Sequence, residues 1–76
     1  MKTLTIYTSP TCAPCHMVKQ YLKLKGVAYI EVDRASERFS EAMSATGMAI
    51  VPQVTDGNTW LTGYNPSSLA KLVEVV

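Results

Sequence analysis

The sequence predicts an α/β fold, a four-stranded mixed sheet flanked by three helices in the order β-α-β-α-β-β-α. Three observations lead there. Runs with period-two alternation and many β-branched residues are interleaved with segments of helical periodicity. An Asp-Gly turn joins the last two strand-like runs. At 76 residues the chain holds one such layered domain, residues 1–76, and no second one.

Each element has its own warrant. Residues 3–7 (Thr-Leu-Thr-Ile-Tyr) alternate and predict the first strand, which Thr8-Ser9-Pro10-Thr11 breaks. From Cys12 to Lys25, Cys15, Val18 and Leu22, flanked by Met17, Tyr21 and Leu24, make one apolar face. Lys19, Gln20 and Lys23 take the solvated side. Lys23 and Lys25 suit the negative end of that helix, and Gly26 caps it. Val27 to Val32 reads as the second strand, closed by Asp33. Residues 36–46 predict a second helix with Ser36 as N-cap, Glu37 and Glu41 early and Gly47 as its stop. Residues 50–55 are strand-like but contain Pro52, which removes a ladder donor and points to an edge or a specialised position. Asp56-Gly57-Asn58 turns the chain into a short strand, Thr59 to Thr62, which Gly63 ends. Asn65-Pro66 then sets an N-cap and first turn for a last helix over 67–75. The first two strands, joined by a helix, should be parallel with a right-handed crossover, and the last two antiparallel.

Composition narrows the function. Hydrophobic residues make up 47% and charged residues 17%, a globular balance that excludes a disordered tail. Seven Lys+Arg against six Asp+Glu are not massed on one segment, which removes the electrostatic case for nucleic-acid binding. The longest apolar run, Met48 to Val51, is far short of a membrane span, and the N-terminus lacks the apolar core of a secretory signal. A soluble, cytoplasmic, monomeric protein is expected.

The whole cysteine inventory is Cys12 and Cys15. A bond between them closes too small a loop to constrain the unfolded chain, so the pair is there for chemistry. Cys12-Ala13-Pro14-Cys15 falls where the first strand meets the first helix. A helix N-terminus offers unpaired N–H groups and partial positive charge, which favour a thiolate. The two-residue spacer lets the second sulfur reach the first within one turn. That placement assigns attack to Cys12, at the tip, and resolution to Cys15, one turn in. Two other readings share these residues. Cys12 to His16 matches a c-type haem attachment signature, but a strand leads straight into it and no export signal precedes it. Half of a zinc site would need ligands that two Cys and one His cannot complete. His16 has two readings: so close to a reactive cysteine it could tune the thiolate, but a solvated place on the helix surface is the more common case. Tyr7, Tyr21 and Tyr29 read as core or boundary aromatics. For Pro52 two options stand: an ordinary edge proline, or a cis bond that would turn the Val51 backbone outward as a short pairing site for an extended partner.

Thr8-Ser9-Pro10-Thr11-Cys12-Ala13-Pro14-Cys15, Ile50-Val51-Pro52 and Gly63-Tyr64-Asn65-Pro66, in this order and spacing, resemble the glutaredoxin-like branch of the thioredoxin fold. They look most like the small NrdH-type redoxins, over nearly the whole chain. The resemblance implies a thiol-disulfide oxidoreductase without a bound cofactor. It implies Cys12 as nucleophile, Cys15 as resolving thiol and a cis Pro52 beside them. Its redox-active Cys12–Cys15 disulfide would draw electrons from NADPH through a reductase or glutathione. Thr11, Ala13, Pro14, Gly63 and Tyr64 become the expected partner or glutathione contacts. The NrdH likeness points to ribonucleotide reductase as a target.

Three departures bear on the electron donor. Ser9 stands where glutaredoxins usually carry a basic residue. Residues 63–68 hold none of the carboxylates that grip the glutathione backbone in many of them. Asn65 replaces the arginine of NrdH-type redoxins, and Trp60 sits one residue further from it than in them. Lys19 remains as a cation near the loop, while Trp60 and Tyr64 suggest an apolar rim suited to a protein partner. A thioredoxin-reductase-type flavoprotein is therefore expected as donor ahead of glutathione.

Overall fold

The computed structural model describes residues 3–74 and has the expected element order. Strand β1 (Leu4–Thr8) runs parallel to β2 (Tyr29–Asp33), with helix α1 (Ala13–Leu24) as the crossover between them. Helix α2 (Phe39–Thr46) leads to β3 (Gln53–Thr55), and a tight turn to β4 (Trp60–Thr62), before helix α3 (Pro66–Glu74). The sheet order β2-β1-β3-β4 makes β1 a central strand, with β3 antiparallel to both β1 and β4.

The period-two pattern of β1 divides the core in two. Leu4 and Ile6 pack with Val54, Val18 and Leu22 of α1, and Leu69 and Leu72 of α3. Tyr7 points the other way and packs with Val32 and with Phe39 and Ala42 of α2. Leu22 is fully buried, and truncating such a leucine to alanine typically costs about 2–5 kcal/mol.

Element boundaries differ from the sequence expectation where local hydrogen bonds intervene. The first strand is shifted one residue on, to end at Thr8. The second starts at Tyr29 instead of Val27, because the Val27 N–H is drawn to Leu22 O and the Gly26 N–H to Lys23 O as α1 closes. Helix α2 starts at Phe39, not at 36. Asp33 Oδ1 accepts the Ala35 N–H and Ser36 Oγ the Arg38 N–H, so Ser36 organises a turn before the helix and caps nothing. Pro52 confines the third strand to three residues. Asn65 does cap α3 through Oδ1 to the Ser68 N–H, and the expected last residue, Val75, lies outside the described residues. Among the described residues no helix is long and apolar enough to cross a membrane.

Candidate active site

The carboxyl ends of β1 and β2 lie side by side, with Thr8 opposite Asp33, and the loop that leaves β1 carries the cysteines. A turn closed by the Cys12 N–H on Ser9 O delivers the chain into α1. Cys12 is the N-cap, with extended backbone at φ −96° and ψ 110°, and its sulfur takes the role a serine oxygen would. Cys12 Sγ accepts the Cys15 N–H at 3.3 Å. Pro14 is accommodated because a first-turn residue needs no intrahelical acceptor. Both cysteines are free thiols. Cys12 is half-buried, and Cys15 is fully buried on the face it shares with Val18 and Leu22. One sulfur is therefore presented and the other held behind it.

Two influences meet on Cys12. Burial is the largest and pushes its thiol above the ordinary cysteine range, and the hydrogen bond with the Cys15 side chain adds to it. The Cys15 backbone N–H and, more weakly, the Lys19 ammonium pull it back down. The helix tip thus acts in the expected direction, but burial outweighs it, and the net shift is upward.

Gln53 pairs with Tyr7, so the preceding Pro52 falls level with Thr8, at the cysteine end of the sheet. The Val51–Pro52 bond is cis and Pro52 is buried. The Gly63 N–H donates to Pro52 O at 2.8 Å, which ties the start of the Gly63-Tyr64 segment to the same corner. Among the described residues no hydrogen bond engages the Val51 N–H or C=O. Thr11, Ala13 and Pro14, all exposed, surround Cys12 at the tip.

Other expected contributors are placed differently. Lys19 is not simply solvated: its Nζ meets Glu31 Oε1 at 2.9 Å, on the wall of a cleft of about 280 Å³ lined also by Thr8, Ser9, Pro10 and Asp33. Trp60 and Tyr64 do not share one rim. Trp60 stacks on Tyr7 at 5.4 Å on the α2 side of the sheet, whereas Tyr64 packs against the α1–α3 core. His16 is exposed. Among the described residues no three of His, Cys, Asp and Glu gather as a metal site would require, and the buried Cys15 sulfur is not open to a bulky group.

Sequence reasoning missed the support of the Pro52 loop. The fully buried Gln53 donates through Nε2 to Met48 O at 3.0 Å and Ile50 O at 2.9 Å, and its Oε1 accepts from Thr46 Oγ1. The available signal was a primary amide inside an apolar strand, which must find partners for two donors and an acceptor.

A glutaredoxin family model matches residues 4–60. A glutaredoxin of Neisseria meningitidis serogroup B is 39% identical over 67 residues, covering 84% of this chain and 79% of that protein. The glutaredoxin-like protein NrdH of Lactococcus lactis subsp. lactis is 34% identical over 71 residues, covering 91% and 97%. Among solved structures, a glutaredoxin from Archaeoglobus fulgidus superposes with a TM-score of 0.84 at 26% identity, over 96% of this chain and 87% of that one. The NrdH-redoxin of Escherichia coli, described as a glutaredoxin-like protein with a thioredoxin-like activity profile, gives 0.79 at 27% identity, over 92% and 93%.

Proposed function

Because the chain belongs to the glutaredoxin family, whose members are thiol-disulfide oxidoreductases, we propose that it reduces protein disulfides with Cys12 as nucleophile and Cys15 as resolving thiol. The observation that carries this is the half-buried Cys12 sulfur at the N-cap of α1, 3.3 Å from the Cys15 nitrogen, with the Cys15 side chain buried one turn in. The Cys12 thiolate attacks one sulfur of the target disulfide, forming a mixed disulfide as the target's other sulfur leaves with the electron pair. Cys15 then bonds to Cys12 Sγ and releases the target's second thiol. The unengaged Val51 main chain beside Pro52 is a fitting edge for an extended segment of the target. A reducing cytoplasm suits this chemistry, since the dithiol must be regenerated there.

The same reading extends to the donor and target. Glutathione carries two carboxylates and an ammonium, and its capture needs complementary charges left available. Lys19 is engaged by Glu31, Asn65 is engaged as the cap of α3, and Ser9 is neutral. These features favour a thioredoxin-reductase-type flavoprotein as donor, in line with the thioredoxin-like profile of the Escherichia coli neighbour. The NrdH likeness points to ribonucleotide reductase as a target. The experiment supplies NADPH with either thioredoxin reductase or glutathione plus glutathione reductase and follows reduction of insulin. Faster turnover with the reductase is expected, and faster turnover with glutathione makes this a glutathione-dependent glutaredoxin, as the Neisseria likeness would have it.

A further inference from the structure

Lys19 follows Cys15 by four residues on α1, so its stem leaves the helix one turn along from the buried sulfur. Its ammonium reaches β2, where Glu31 holds it at 2.9 Å, with 20% of the lysine side chain exposed. Tyr29, also on β2, lies within its field, and so does Cys15. The other carboxylate of the cleft is Asp33. The hydrogen bond to Glu31 comes first among the causes that hold the ammonium above the ordinary lysine range, so it stays charged at neutral pH.

Cys15 has no exposed surface, and an ion formed without solvent needs a partner charge. The Cys15 N–H, a helix-tip donor on the same residue, is spent on Cys12. We propose that Lys19, aimed by Glu31, is the positioning charge for the resolving step and stabilises the Cys15 thiolate as it displaces the target from Cys12. This rests on the dithiol reading above. In the mixed disulfide, Cys15 gives its proton to the thiolate that the target released first. The Cys15 Sγ–Cys12 Sγ bond forms while the Cys12–target bond breaks, and the electron pair departs on the target's second sulfur, which takes a proton from water. Two electrons pass from the dithiol to the target. Lys19 gives up no proton; it supplies fixed charge.

The test compares Lys19→Met, which keeps the stem and loses the charge, with Lys19→Arg and Glu31→Gln. Single-turnover kinetics with a fluorescent peptide disulfide separate mixed-disulfide formation from resolution. Lys19→Met is expected to slow resolution at neutral pH about three- to tenfold, and to change the first step less than about twofold. It should also move the pH profile of resolution to higher pH. Lys19→Arg should restore rate and profile, and Glu31→Gln should fall between. Resolution in Lys19→Met as fast as in the parent overturns the proposal. So does a loss with an unmoved pH profile that Lys19→Arg does not repair, the mark of a packing role. Failure of the dithiol reading looks different: Cys15→Ser would then release product at the parent rate, whatever stands at position 19.

Discussion

Thr46 Oγ1 donates to Gln53 Oε1 at 2.8 Å, joining the last residue of α2 to the first residue of β3 across the loop that carries Pro52. The Met48 N–H returns to the same hydroxyl, and the two Gln53 amide protons hold the Met48 and Ile50 carbonyls. Both amide protons and the amide oxygen of this buried side chain are engaged. Gln53→Leu keeps the volume but strips three partners, and it should cost about 1–3 kcal/mol, since each orphaned group loses a bond that water replaces only in part. Insulin reduction should fall severalfold as the 48–51 backbone loosens. Thr46→Val removes the hydroxyl's bonds to Gln53 Oε1 and from the Met48 N–H, and should cost less than Gln53→Leu, about 1 kcal/mol. Urea midpoints for the two variants check the ranking, and an unchanged midpoint in Gln53→Leu would show that the clamp holds nothing.

The two cysteines should fail in different ways. Cys12→Ser removes the presented sulfur and should lower disulfide reduction by about a hundredfold or more, since a serine hydroxyl is hardly ionised at neutral pH. Cys15→Ser leaves attack intact and should accumulate a mixed disulfide with the target, visible as a mass adduct. In the reduced parent protein, iodoacetamide should label the half-buried Cys12 before the buried Cys15. Labelling in the reverse order reverses the assignment.

What was legible in the sequence follows from how local each cause is. The Cys12–Cys15 spacing, the Asn65-Pro66 start and the Asp56-Gly57 turn act within a few residues, and each stands where it was read. Ser36 misled because a serine before a glutamate also serves a turn, and the nearby Asp33 took the chain into one. The cis state of Pro52 came only through family likeness, since at the residue level an edge proline explained it equally well. The pairing of Lys19 with Glu31 and the clamp on Gln53 join residues from different elements, where no sequence period reports a contact. The split between Trp60 and Tyr64 depends on register: Trp60 pairs with Thr55, and Thr55 with Thr5, which puts it on the Tyr7 side of the sheet.

That split gives opposed expectations for two aromatic residues. Trp60 stacks on Tyr7 with planes 28° apart, and Phe39 meets the same tyrosine edge-on. Trp60→Ala should cost about 2–3 kcal/mol, part apolar burial and part ring contact, and leave insulin reduction within about twofold. Tyr64 follows Gly63, whose N–H is bonded to Pro52 O, so Tyr64→Ala should slow reduction of a protein disulfide more than it lowers the thermal midpoint. A larger kinetic defect in Trp60→Ala than in Tyr64→Ala would put the docking rim on the α2 side instead.

The pH dependence of Cys12 follows from the direction of its shift. Burial, then the hydrogen bond with the Cys15 side chain, raises its thiol above the ordinary cysteine value, so the sulfur is largely protonated at neutral pH. Its alkylation rate should therefore keep climbing, about tenfold per pH unit, as pH rises from 7 toward the ordinary thiol range, because only the thiolate reacts. A raised folded-state value also means that the unfolded chain ionises first. The stability contributed by the buried thiol is then complete below the unfolded cysteine range and is lost as pH climbs through the folded one. Cys15→Ser replaces the side chain that gives the second upward push, and should bring the alkylation profile to lower pH while the backbone N–H at position 15 still faces the sulfur. Iodoacetamide kinetics of both proteins across neutral and alkaline pH check this. A rate that is already flat below neutrality would mean that the α1 N-terminus outweighs burial and that Cys12 stands ready as a thiolate.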